Sequence, residues 1–87
     1  MKSVKIVEKL TWIMVNKLKV NPILIVSENF NKPLTGTLFE LKKLDLLYLF
    51  FEIEKNFSII FTTTKILDYE FNTINGIIHL IDEEIAE

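Results

Sequence analysis

Apolar residues recur at helical spacing in three stretches of the chain, separated by segments where the period breaks. Over residues 3–19, Val4, Val7, Thr11, Met14 and Leu18 fall on one stripe, with Lys17 and Lys19 near the end, where cations suit the helix dipole. Ile6, Leu10 and Ile13 form a second stripe on the neighbouring face, so about half of the circumference is apolar. The first stripe is expected to face the core and a long loop to cover the second. Asn21-Pro22 then stops the helix, because a residue preceding proline is pushed out of the helical region.

The loop spans residues 22–36 and contains Ile23-Leu24-Ile25-Val26, then Phe30 and the turn-forming run Asn31-Lys32-Pro33-Leu34-Thr35-Gly36. The four aliphatics either anchor the loop or form a short strand against Ser58-Ile59-Ile60-Phe61, which leaves α+β as the alternative fold. Thr37-Leu38-Phe39-Glu40 has the form of a capping box, so a long helix is expected from Thr37 to about Asn56. At about 100° per residue, Phe39, Leu46, Leu49, Phe50, Ile53 and Phe57 share one face of it. Leu41, Leu44, Leu47, Tyr48 and Phe51 share the opposite one. A helix that is apolar on two sides is either central to its bundle or holds one side for a partner.

Residues 62–68 read as a brief helical turn, with Phe71 as an anchor. Asn72 or Thr73 caps the last helix, whose Ile74, Ile77, Ile78, Ile81 and Ile85 make a clean stripe. His79 projects to the other side, as a surface residue. The expected core is Val7, Met14, Leu18, Leu49, Phe50, Ile53, Phe57, Ile74, Ile77, Ile78 and Ile81. The elements thus predict an all-α, four-helix bundle with a long first loop and a short third helix.

Composition narrows the function classes. Eighty-seven residues fit a single domain over 1–87, and 49% apolar content with only two Gly and two Pro is the opposite of a disordered chain. Ten Lys, no Arg and a net charge of −2 make a poor nucleic-acid reader, since Arg is the preferred fork for phosphate and guanine. Without Cys there is no disulfide, thiol nucleophile or thiolate metal site, and the single His79 removes most imidazole zinc arrangements. No nucleophile, base and oxyanion set is visible, so no enzyme is expected. Lys5, Glu8 and Lys9 interrupt the N-terminal segment, and no window approaches the ~18 uncharged apolar residues of a membrane span. A cytoplasmic protein is expected, and abundant Ile, Lys and Asn without Arg suits an AT-rich bacterial genome.

The order of elements resembles that of acyl carrier proteins. Leu44-Asp45-Leu46-Leu47-Tyr48-Leu49-Phe50-Phe51-Glu52-Ile53-Glu54-Lys55-Asn56-Phe57 is similar to the carrier second helix, with its Leu-Asp pair, aliphatics, Glu-rich end and closing Phe. Phe71-Asn72-Thr73-Ile74-Asn75 is similar to the start of the carrier fourth helix. More narrowly, Leu34-Thr35-Gly36, Tyr48-Leu49-Phe50-Phe51-Glu52-Ile53-Glu54 and Phe71-Asn72-Thr73-Ile74-Asn75 resemble the acyl carrier-related proteins of bacterial peptide maturation systems. The resemblance covers most of the chain. It implies a small protein encoded beside enzymes that modify ribosomally made peptides.

The chain departs from that family where the cargo arm attaches. Carriers esterify phosphopantetheine to the Ser of an Asp-Ser-Leu motif at the start of the second helix. Counted back from Phe57, the motif falls on Lys42-Lys43-Leu44; counted forward from Gly36, it falls near Thr37-Leu38-Phe39. Neither register supplies a Ser, and Ser3, Ser27 and Ser58 lie in other elements. No phosphopantetheine cofactor is therefore expected. Thr37 is the nearest hydroxyl, and an atypical carrier modified at Thr37 or Thr35 is the alternative. Lys42 and Lys43 are either solvated charges or a basic pair that attracts an anionic group on a partner. The resemblance implies that partners dock on the outward face of the second helix, here Leu44, Leu47, Tyr48 and Phe51. Tyr48 stands where an acid is common in the family. The expected function is a protein-interaction module for a protein partner such as a peptide-modifying enzyme, with a homodimer through the same face as a further option.

Overall fold

In a computed structural model, the structure describes residues 2–60 and 72–85. Its helices are α1 (Lys2–Asn16), α2 (Lys43–Phe57) and α3 (Ile74–Ile85), with single 3-10 turns at Pro22–Leu24 and Ser27–Asn29 in the first connection. Among the described residues there is no strand, so the fold is all-α there and the alternative pairing of Ile23–Val26 with Ser58–Ile60 is not formed. The brief helix expected at 62–68 and the Phe71 anchor lie outside the described residues. The helix expected as the fourth is α3 here.

One contiguous core joins the three helices, with α1 packed on both α2 and α3. From α1 it takes Ile6, Leu10, Ile13 and Met14, all almost wholly buried. The stripe expected to face inward is therefore corrected. Val4 is about half exposed, Val7 and Thr11 are partly exposed, and only Met14, on the border of both stripes, is shared. Two stripes of equal period compete through size. Ile6, Leu10 and Ile13 remove more apolar area from water than Val4, Val7 and Thr11, at about 25 cal/mol per Å2. The helix also ends earlier than Asn21-Pro22, at Asn16. Lys19 turns left-handed (φ 61°), and the Val20 N–H reaches back to the Met14 carbonyl at 3.0 Å, which brings Val20 into the core.

The start of α2 is a second correction. The helix begins at Lys43, and Thr37 does not cap it. Residues 37–39 form a turn in which the Glu40 N–H donates to the Gly36 carbonyl at 2.8 Å, and Glu40 then adopts a left-handed conformation (φ 53°). The reversal lets the Leu41 N–H donate to the Leu34 carbonyl at 2.9 Å and buries Leu34, Phe39 and Leu41. A cap is worth about 1 kcal/mol, whereas each of these side chains gains about 1.5–3 kcal/mol on burial, so packing overrides the capping motif. Asp45 supplies the missing contact at the new start, its Oδ2 accepting the Lys42 N–H at 2.8 Å.

The long connection is tied to the start of α3. The Leu34 N–H donates to the Asn72 carbonyl (2.7 Å), the Asn75 N–H to the Phe30 carbonyl (3.0 Å), and the Asn75 amide to Asn31 Oδ1 (2.7 Å). Within the connection, the buried Asn29 donates to the Leu24 carbonyl at 2.8 Å. Thr73 caps α3 as expected, its hydroxyl accepting the Gly76 N–H at 2.9 Å. Ile74, Ile77 and Ile81 are buried, joined by Leu80; Ile78 is half-buried and Ile85 reaches solvent. On α2 the buried residues are Leu49, Phe50, Glu52 and Ile53, while Leu46 and Phe57 pack at the core's edge. Leu18 also sits at that edge.

Ile53 and Ile13, both fully buried, test this core. Ile53→Asp places an unpaired carboxylate in the interior and abolishes cooperative unfolding, and Ile13→Ala lowers stability by about 2–5 kcal/mol in urea denaturation. A folded Ile53→Asp protein would refute the assignment.

Candidate functional site

Because α2 gives Leu49, Phe50 and Ile53 to the core, the residues at i, i+3, i+4 and i+7 from Leu44 are turned outward. Leu44 is 79% exposed, Leu47 38%, Tyr48 43% and Phe51 55%. They form one apolar stripe about 10 Å long on the rise of an α-helix. The Phe51 ring meets the buried Phe50 edge-on, with centroids 5.6 Å apart, and so is steadied from below while its outer side stays in water. All four residues expected on the docking face are thus brought together on one exposed surface.

The ends of the stripe are cationic. Lys42 and Lys43 are exposed at the helix start, and Lys55 is exposed four residues beyond Phe51. At the far end, Ser58 closes the helix in a left-handed conformation (φ 55°) with its N–H on the Glu54 carbonyl. From α1, the Lys9 ammonium lies 3.4 Å from the Asn56 carbonyl and 5.2 Å above the Phe57 ring, pinning the C-terminus of α2. Glu52 is buried behind the stripe, with its carbonyl accepting from the Asn56 amide at 2.7 Å.

The helix start coincides with Lys42-Lys43-Leu44 and carries no hydroxyl. Thr35 and Thr37 sit in the preceding turn, both exposed. The Thr35 hydroxyl donates to Asn72 Oδ1 at 3.2 Å, which engages it in the tie to α3. His79 is on the surface, as expected, with Nε2 3.8 Å from Glu83 Oε2 one turn along.

A second apolar surface has no counterpart in the sequence reading. A shallow depression on the outer side of α1 is lined by Val7, Glu8, Thr11, Trp12, Val15 and Asn16, with Trp12 53% exposed. Trp12 lies opposite Ile6 and Leu10 by period alone and is legible once the inner stripe is known. The Lys17 ammonium stands 5.9 Å from the centroid of its ring.

Comparison of the chain with protein-family models, curated proteins and solved structures returns no match. Among the described residues no helix is long and apolar enough to cross a membrane, and no group of three metal-ligating side chains comes together.

The exposed stripe contributes little to folding. Leu44→Ser and Tyr48→Ser leave the free energy of unfolding within about 0.5 kcal/mol of the parent, while Leu49→Ser in the same helix costs several kcal/mol. Equal losses at all three positions in chemical denaturation would show the stripe to be internal.

Proposed function

We propose that the chain is a four-helix, acyl-carrier-like module that carries no phosphopantetheine and acts by binding a protein partner through α2, without catalysis of its own. The bacterial cytoplasm and the maturation of ribosomally made peptides are the setting that the family resemblance suggests, with a peptide-modifying enzyme as the partner. The exposure of Leu44, Leu47, Tyr48 and Phe51 on a helix whose other side is core is the observation that carries this reading. A monomer of this size gains nothing in stability from an aromatic pair held in water, whereas Tyr and Phe at the centre of a patch are effective binding anchors.

The loss of the arm is supported by the residues at the helix start. Lys43 occupies the first helical position, and Lys has no hydroxyl to esterify. The competing reading, modification of Thr37 or Thr35, gains one point from the structure, since Thr37 is exposed and does not cap the helix. Its position in a turn ahead of the helix removes it from the place where the family's arm attaches.

Intact mass after incubation with coenzyme A and a broad-specificity phosphopantetheinyl transferase separates the two. An unchanged mass is expected. A gain of one phosphopantetheine, lost in Thr37→Ala or Thr35→Ala, would overturn the proposal in favour of an atypical carrier.

A further inference from the structure

The charges around the stripe restrict what docks there. Lys43 and Lys55 are twelve residues apart along α2, about 18 Å, and bracket Leu44, Leu47, Tyr48 and Phe51. Lys42 adds a second exposed cation at the N-terminal end. The acids of α2 are less exposed than these lysines. Asp45 is half-buried and holds the Lys42 N–H, Glu52 is buried, and Glu54 is half-buried at the edge. Glu40, ahead of the helix, is the exposed acid nearest the lysine pair in sequence. An otherwise acidic chain, of net charge −2, therefore presents its apolar stripe between positive ends.

This arrangement disfavours a second copy. In a two-fold pairing of α2 with itself, an antiparallel approach sets Lys43 against Lys55, and a parallel one sets each lysine against its own counterpart. The chain does contain an acidic helix, since α3 has no lysine and carries Asp82, Glu83 and Glu84. Its aliphatic side, however, is Ile74, Ile77, Leu80 and Ile81, all in the core. Among the described residues, no helix of a second copy offers both the apolar and the anionic half of a complement.

Building on the docking role assigned to α2 above, we infer that its partner presents an acidic amphipathic helix. The aliphatic side of that helix lies on Leu44, Leu47, Tyr48 and Phe51, and its carboxylates reach the lysines at the two ends. Opposite charge at the ends would fix register and speed association, while burial of the stripe supplies the affinity.

The test uses the full chain and two labelled helical peptides of about four turns, with the same leucine stripe and either Glu or Lys at the remaining positions. Binding is followed by fluorescence anisotropy at low and high salt. The Glu peptide is expected to bind at least about tenfold more tightly than the Lys peptide, with an affinity that falls as salt rises. The variant carrying both Lys43→Glu and Lys55→Glu, folded by circular dichroism, should lose or reverse that preference, and Phe51→Ala should weaken both peptides. Equal binding of the two peptides, still weakened by Phe51→Ala, would overturn the acidic partner and leave the docking face standing. Binding insensitive to Phe51→Ala would overturn both. Binding of neither peptide, or self-association in sedimentation that Phe51→Ala abolishes, would also overturn the acidic partner.

Discussion

The burial of one side of α2, and only one, is the constraint from which the rest follows. Leu49, Phe50 and Ile53 share a core with Ile6, Leu10 and Ile13 of α1 and with Ile74, Ile77 and Ile81 of α3. Two neighbouring helices supply the core against one face of α2, and the described residues leave the opposite one exposed. The apolar residues left on that opposite face, Leu44, Leu47, Tyr48 and Phe51, are consequently in water whatever their purpose. They are apolar and contiguous, and contiguity is what sets a patch apart, since single exposed apolar residues are common on protein surfaces.

Holding α2 in this orientation depends on contacts at its two ends. At the start, the Leu34 and Leu41 backbones pair across a tight reversal, and the Asn72 and Asn75 groups fasten the same region to the head of α3. At the finish, Lys9 of α1 sits over Phe57 and reaches the Asn56 carbonyl. These are modest interactions singly. Together they oppose rotation of α2 about its axis, the motion that would turn Tyr48 and Phe51 inward.

The two faces of α2 from Leu44 onward and the capped stripe of α3 were legible in the sequence, because a 3.6-residue period sorts side chains regardless of what they pack against. Phe39 and Leu41, expected on opposite faces of the helix, are both buried ahead of it. The inner stripe of α1 was not legible. Ile6-Leu10-Ile13 and Val4-Val7-Thr11 satisfy the same spacing, and only side-chain volume separates them. The start of α2 was misplaced because Thr37 and Glu40 offer a local signal that the burial of Leu34, Phe39 and Leu41 in the common core outweighs. That balance is set by tertiary contacts, to which a capping motif is blind. For the candidate site, the four residues were found from period and family resemblance, while Lys55 as the second positive end emerged only when the helix limits and exposures were in place.

Hydroxyl-radical footprinting of the native protein reads the two sides of α2 directly, since aromatic rings are oxidised according to their access to water. Tyr48 and Phe51 should be labelled rapidly, and Phe50 and Phe39 only after unfolding. Protection of Tyr48 and Phe51 to the level of Phe50 in the monomer would contradict a free face on this helix and remove the basis for docking.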